Sequence, residues 1–226
     1  MRRQVLFFAS ATLTVLLAGS ASRANLIVNG DFELGNVGFS SGYTFSPANV
    51  YDVSTYDIAR NPINDNQYFT SYGDHTSGFG YMMVISGSTD PNVTVWSETV
   101  TVAAGTKYDF SFFGSSCYPS SPARLEVLFN GISLGIFTLP VSSGTWQGYG
   151  ASWYSGATTS VTIEIIDRNL DFSGNDFALD ELALQGPNAV PEPSGFTLLA
   201  VGPACLIGCA RRWNRKLRPC GGPSGK

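Results

Sequence analysis

The sequence predicts an antiparallel β-sandwich, and three observations predict it. Apolar residues alternate with polar ones in short runs, as in Tyr108, Phe110 and Phe112, then Leu125, Val127 and Phe129, then Val161, Ile163 and Ile165. Each set would line one face of a half-buried strand. An Asn130-Gly131 pair stands between two such runs, where a tight hairpin turn needs positive φ. Between Asn25 and about Leu184, finally, no window keeps a helical apolar period for more than a turn or two.

In chain order, strands are expected at Leu26 to Asn29, Tyr81 to Ile85, Val93 to Val102 and around Tyr108 to Phe112. The Leu125 run and Ile132 to Ile136 form the hairpin, and Gln147 to Trp153, the Val161 run and Phe177 to Leu184 complete the set. In the Val93 run the apolar parity slips between Val95 and Trp96, which predicts a bulge. Short antiparallel strands without helices imply two packed sheets. The segment from Phe39 to Gly80 lacks clear alternation and reads as loop-rich, and a loop of that length is usually functional or stiffened by a metal.

The two ends differ from this middle. Arg2 and Arg3 precede an apolar run from Val5 to Ala18, followed by small residues through Ser22-Arg23-Ala24. A core helix would show a polar face, and this run has none, so it reads as a secretory signal peptide over residues 1–24. Cleavage after Ala24 would make Asn25 the first mature residue, although Gly19-Ser20-Ala21 satisfies the same small-residue rule.

At the other end a Pro-rich linker, residues 187–194, contains Pro191-Glu192-Pro193. An apolar stretch over residues 195–210 follows, and then a basic tail, residues 211–226, opening on Arg211 and Arg212. Sixteen helical residues span about 24 Å against a hydrocarbon core of about 30 Å, and Pro203 interrupts them. The segment suits a temporary stop better than a permanent anchor, with its basic end held in the cytoplasm.

The order of Pro-Glu-Pro element, apolar helix and arginine cluster resembles the PEP-CTERM sorting signal of Gram-negative bacteria. That resemblance implies processing near Pro191-Glu192-Pro193 by an exosortase, a membrane-embedded cysteine-protease-like transpeptidase. It implies passage through the inner membrane, then residence at the cell surface or in the extracellular matrix. The chain departs from the pattern by running ten residues beyond Lys216. An ordinary tail anchor is the competing reading.

The chain has 13 basic and 17 acidic residues, but between Asn25 and Pro193 only Arg60, Lys107, Arg124 and Arg168 are basic while all 17 acids lie there, a net charge near −13. Such a field repels nucleic-acid phosphates and attracts divalent cations, so nucleic-acid binding is disfavoured. Of four cysteines only Cys117 belongs to the domain, so no internal disulfide can staple it; a hydrophobic core must hold it together.

The opening Asn25-Leu26-Ile27-Val28-Asn29-Gly30-Asp31-Phe32-Glu33 and the closing Asn175-Asp176-Phe177-Ala178-Leu179-Asp180-Glu181-Leu182 resemble the two ends of galactose-binding-like jelly rolls, a form shared by many carbohydrate-binding modules. Gly73-Asp74-His75-Thr76, leading into Tyr81-Met82-Met83-Val84, resembles a subset of them found on envelope-sorted proteins. The resemblance implies a jelly-roll domain over residues 25–186. It also implies a structural Ca²⁺ joining first and last strands, with side chains from Glu33 and Asp180, a carbonyl from Asp31, and Asp74 with Ser77 as mid-chain ligands. Calcium takes six to eight such oxygens and cancels the repulsion among the acids. The alternative is that these acids are turn and cap residues.

Sugar rings stack their C–H faces on Tyr and Trp while polar side chains bind the hydroxyls. Candidates are Tyr118, Trp146, Tyr149, Trp153 and Tyr154, with Tyr68 or Tyr72 in the long loop; most such aromatics pack in cores, so the group is a firmer expectation than any member. Catalysis finds little support. No Gly-x-Ser-x-Gly or His-Glu-x-x-His occurs, and His75 is the sole histidine. The expected function is a non-catalytic, envelope-sorted carbohydrate-binding protein. The alternative is a structural surface or matrix protein that makes protein contacts and binds no sugar.

Overall fold

The computed structural model describes residues 23–187. Ten strands run through them: β1 (Thr44–Phe45), β2 (Thr55–Ala59), β3 (Met82–Ser86), β4 (Thr94–Thr101), β5 (Lys107–Tyr118), β6 (Arg124–Phe129), β7 (Ile132–Thr138), β8 (Gln147–Tyr154), β9 (Ser160–Asp167) and β10 (Asp176–Gln185). A single 3₁₀ turn at Pro62–Asn64 is the one helical element among the described residues. The signal segment through residue 22 and the linker, apolar stretch and basic tail from residue 188 onward lie outside the described residues.

One sheet has the order β1-β2-β3-β10-β5-β8 and the other β4-β9-β6-β7. From β3 onward the chain passes back and forth between the sheets, so that β10 fits between β3 and β5 and β9 between β4 and β6. This is the double Greek key of an eight-stranded jelly roll, with β1 and β2 added at one edge. All ladders are antiparallel except the two-residue β1–β2 pairing.

The expected alternation sets the core. Phe110 and Phe112 of β5, Leu125, Val127 and Phe129 of β6, Val161, Ile163 and Ile165 of β9, and Phe177, Leu179, Leu182 and Leu184 of β10 meet between the sheets, all essentially without solvent contact. Burying a side chain of this size contributes about 1.5–3 kcal/mol, so these rows replace the missing disulfides. Asn130 and Gly131 take φ of 48° and 76°, as the hairpin requires, and the β4 register shifts between Thr94 and Trp96.

One expectation fails and another is refined. Leu26 to Asn29 is not a strand: after a bridge from Asn25 to Gln185 the chain turns, because Asn29 adopts φ 57° and its side chain binds the loop that follows. Asn29 Nδ2 donates to the Gly35 and Val37 carbonyls, and its Oδ1 accepts from Leu34 N. The stretch from Phe39 to Gly80 is not only loop; it contributes β1 and β2. Tyr56 and Ile58 of β2 face the core while Thr55 and Asp57 are buried on the other side, an alternation only two apolar residues long. The rest of that stretch folds over the outer face of the larger sheet, where Val50 and Phe69 pack on Met82, Val84, Cys117 and Ala178 in a second small core.

Candidate functional site

At one end of the six-stranded sheet β2 begins, β3 ends, β5 ends and β10 begins, as the pairings Thr55 with Ser86, Phe177 with Ile85 and Asp176 with Tyr118 fix. Loops rise around this end and enclose a cleft of about 240 Å³. Its walls are Tyr51, Tyr68, Tyr118 and Phe172, which are 49, 69, 41 and 77 % exposed. Asn66, Ser86, Ser173 and Asp176 supply polar groups between them.

Local chemistry holds the walls. Asn61 caps the 3₁₀ turn, its Oδ1 accepting from Ile63 N and Tyr72 N, and Pro62 starts the turn where no N–H is needed. Buried Asn66 then clamps two loops: its Nδ2 donates to the Val50 carbonyl at 3.0 Å and its Oδ1 accepts from Tyr68 N at 3.0 Å. Gln67 N donates to the Tyr51 hydroxyl at 3.2 Å, fixing that ring beside Tyr68. Across the cleft Ser121 N donates to the Gly174 carbonyl, tying the Tyr118 loop to the Phe172 loop. Gly174 sits at φ 93°, and a Cβ there would meet Ser121 N at 2.6 Å, so this close approach needs glycine.

Acids underlie the cleft. Burial pushes the Asp176 carboxyl up to about 6, although hydrogen bonds from the Ser86 hydroxyl and the Gly87 and Gly174 backbone oppose the shift. Asp65, only 2 % exposed, is pushed up by burial and then by hydrogen bonding to Asp57; its Oδ2 has no other partner. Burial also raises the Cys117 thiol in the second small core, and the fields of Asp176 and Asp65 raise it further.

A second, larger cleft of about 430 Å³ opens where the N-terminal turn meets β10, lined by Asn25, Asn29, Asp31, Thr76, Phe113 and Glu181 among others. Its one aromatic, Phe113, is already covered by His75, with ring centroids 3.6 Å apart and planes 14° from parallel. The His75 Nδ1 lies 2.8 Å from Glu181 Oε2, and Glu181 holds φ 52° at the β10 bulge. This cleft therefore offers no free ring for a sugar to stack on.

The residues assigned to calcium surround the loop from Gly73 to Tyr81. Asp180 Oδ2 accepts from His75 N, Thr76 N and the Thr76 hydroxyl, at 2.8, 3.0 and 3.2 Å. Asp74 accepts from Ser77 N and Gly80 N, and Glu33 Oε1 from Tyr81 N at 2.7 Å. Glu33 and Asp74 approach one another at Gly80, where any Cβ would run into both carboxylates. Arg60 lies over the Tyr81 ring, its centre 4.3 Å away, and its charge is favoured first by Tyr81 and then by Glu33 and Asp74. Asp31 is exposed, its Oδ1 facing Glu33 N at 3.4 Å. Among the described residues no three His, Cys, Asp or Glu side chains stand as a metal centre; in this geometry the acids serve as caps for backbone amides.

The sugar candidates do not gather in one place. Tyr118 lines the aromatic cleft, with Tyr68. Tyr154 is exposed but pairs with Lys107 at the opposite end of β5. Tyr149 and Trp153 face inward, packed on Phe112 and Phe129 respectively. Trp146 packs edge-on against Tyr72 and His75, and its Nε1 donates to the Gly73 carbonyl. Tyr51, Asn66, Phe172 and Asp176 escape the sequence reading. For Phe172 a signal exists: an aromatic inside Asp171-Phe172-Ser173-Gly174, among turn formers and outside any alternation, has no core to enter.

The domain is thus an antiparallel jelly-roll sandwich with an aromatic-walled cleft at one end. No protein-family model matches the sequence, and no curated protein matches it. Among solved structures, a cyclase from Fischerella sp. TAU shares the fold with TM-score 0.52 and 13% identity, over 74% of this chain and 99% of that one. The CBM22-1 xylan-binding domain of Paenibacillus barcinonensis Xyn10C aligns with TM-score 0.48 and 12% identity, over 76% of this chain and all of that one. At these identities the likeness is one of fold alone.

Proposed function

We propose that this is an exported, non-catalytic protein whose jelly-roll domain binds carbohydrate, with Tyr51, Tyr68, Tyr118 and Phe172 as stacking platforms. The observation that carries the reading is the cleft itself. Four exposed rings around Asn66 and Asp176 combine flat apolar faces with hydrogen-bonding groups, the pairing that sugars require. The only histidine is committed to Glu181 and Phe113, away from this cleft, which supports binding without chemistry.

Export accords with Asn25, the residue after the expected cleavage bond. Its Nδ2 donates to the Leu182 carbonyl and its Oδ1 accepts from Leu184 N, so this residue is wired to the last strand, while before the expected bond Arg23 pairs with Asp109 at 3.0 Å. The sorting of the protein by an exosortase at Pro191-Glu192-Pro193, followed by surface or matrix residence, belongs to the same proposal and rests on the sequence pattern. Mass spectrometry of the mature protein tests it, an intact C-terminus through Lys226 counting against processing. A Ca²⁺ held by Glu33 and Asp74, with Asp180 and oxygens of Asp31 and Ser77, is likewise proposed. Chelation should then lower the melting temperature, and an unchanged melt with no calcium in elemental analysis would remove the ion from the scheme.

The deciding experiment is a pull-down of the full chain on a panel of soluble and insoluble glycans, with and without calcium. Tyr118→Ala together with Tyr68→Ala should weaken a positive interaction at least about tenfold. Binding to no glycan would favour the alternative, a structural surface protein. The exposed apolar residues Val28, Leu34 and Val37 around the Asn29 turn suit such a protein contact.

A further inference from the structure

The electrostatics of the aromatic cleft narrow its ligand. Four aromatic rings line one opening, and among the described residues no lysine or arginine does. Asp176 lines the cleft among these rings. A partly buried carboxyl that shares the cleft with these rings and with no basic side chain has no counter-charge in the lining. The rings attract cations through their quadrupoles, most strongly when the site is partly dry. The surrounding domain adds a net charge near −13, which raises the local concentration of cations and repels anions.

A uronic acid entering this cleft would place its carboxylate against Asp176 with no basic side chain to receive it. A neutral sugar would stack but leave the acid without a counter-charge. A hexosamine with a free, protonated amino group satisfies both the rings and the acid. We propose that the cleft selects a glycan of cationic amino sugars over its N-acetylated and uronate-containing counterparts. This inference rests on the carbohydrate reading and specifies its substrate class.

Isothermal titration of the full chain with oligomers of glucosamine, of N-acetylglucosamine and of galacturonic acid tests it. The glucosamine oligomer should bind at least about tenfold tighter than the N-acetylated one, and the galacturonate not measurably. Tyr68→Leu and Phe172→Leu keep apolar surface at exposed positions but remove the quadrupole, so each should weaken glucosamine binding about three- to fivefold while leaving the net charge unchanged. Asp176→Asn should abolish the preference for the amine; because Asp176 also anchors the start of β10, the leucine variants carry the test if that variant misfolds. Equal or tighter binding of N-acetylglucosamine or galacturonate would overturn the amine preference and leave the carbohydrate reading intact. Glucosamine binding that both leucine variants retain in full would reduce the effect to general attraction by an acidic surface and overturn it too. No heat with any of these oligomers, and no capture on the wider glycan panel, would remove the carbohydrate reading together with the inference.

Discussion

Replacing Asp180 by alanine removes the acceptor from which the His75-Thr76 turn hangs. The carboxylate takes three hydrogen bonds from that turn, at 2.8, 3.0 and 3.2 Å, and a fourth from Glu181 N at 2.8 Å. Leaving the two amides of the turn, His75 N and Thr76 N, without a partner costs about 1–3 kcal/mol each, and the half-exposed Glu181 N adds less. Against this, burial raises the Asp180 carboxyl from 3.8 to about 6, so keeping it ionised in the folded state at neutral pH costs up to about 3 kcal/mol, which the variant no longer bears. The net deficit at neutral pH is on the order of 1–3 kcal/mol, or roughly 3–10 °C in melting temperature for a domain of this size. The sign of its pH dependence follows from the raised value. Wild-type stability from this group is fully present below about pH 4 and is lost as pH rises through about 6. The gap between wild type and Asp180→Ala should therefore be widest at about pH 4 and below and should narrow to its neutral-pH value above about pH 6. Thermal unfolding followed by circular dichroism, in chelator, measures it. A gap that widens from pH 5 to pH 8, or no gap at any pH, would refute the capping role.

Gly30→Ala should destabilise the domain by about 3 kcal/mol or more, because a Cβ at Gly30 would overlap the Leu182 carbonyl and break the Leu182 N to Gly30 O bond; denaturant titration reads the loss. Cys117 is fully buried and its thiol is pushed up by burial, so a thiol reagent should label it only at the rate of unfolding. Labelling as fast as that of a free peptide thiol would contradict the second small core. Asn66→Ala should weaken glycan binding with little change in the rest of the fold, since it frees Tyr51 and Tyr68 from one another, and the same titration calorimetry would detect it. Unchanged affinity would show that the walls hold themselves.

Alternation made most of the sandwich legible. β4, β5, β6, β8, β9 and β10 each carry an apolar row facing one core, and a side chain's face in a strand depends only on its parity; in β7 the row slips, leaving Ile132 and Ile136 exposed while Leu134 and Phe137 pack inward. The Asn130-Gly131 turn and the bulge at Trp96 were legible for the same local reason. β2 was not, although Thr55-Tyr56-Asp57-Ile58 does alternate, because two apolar residues make too short a row to stand out, and its polar face, with Asp57, is buried as well. The opening motif was legible as a motif but not as a shape. Asn29 spends its side chain on three loop atoms and bends the chain away from the strand that Leu26-Ile27-Val28 suggests.

What the sequence determined by itself is therefore the class of fold, the absence of disulfide support within the domain, the acidity of its surface, and the export and sorting pattern expected of its two ends. Each follows from composition or from short-range periodicity. Only the tertiary structure decided where the site lies. Tyr51, Tyr68 and Phe172 come from three separate loops and Tyr118 from the end of β5, and nothing in their spacing tells an exposed ring from a packed one. Trp153 and Tyr118 look alike along the chain; the sheet pairing turns one into the core and leaves the other at the mouth of the cleft.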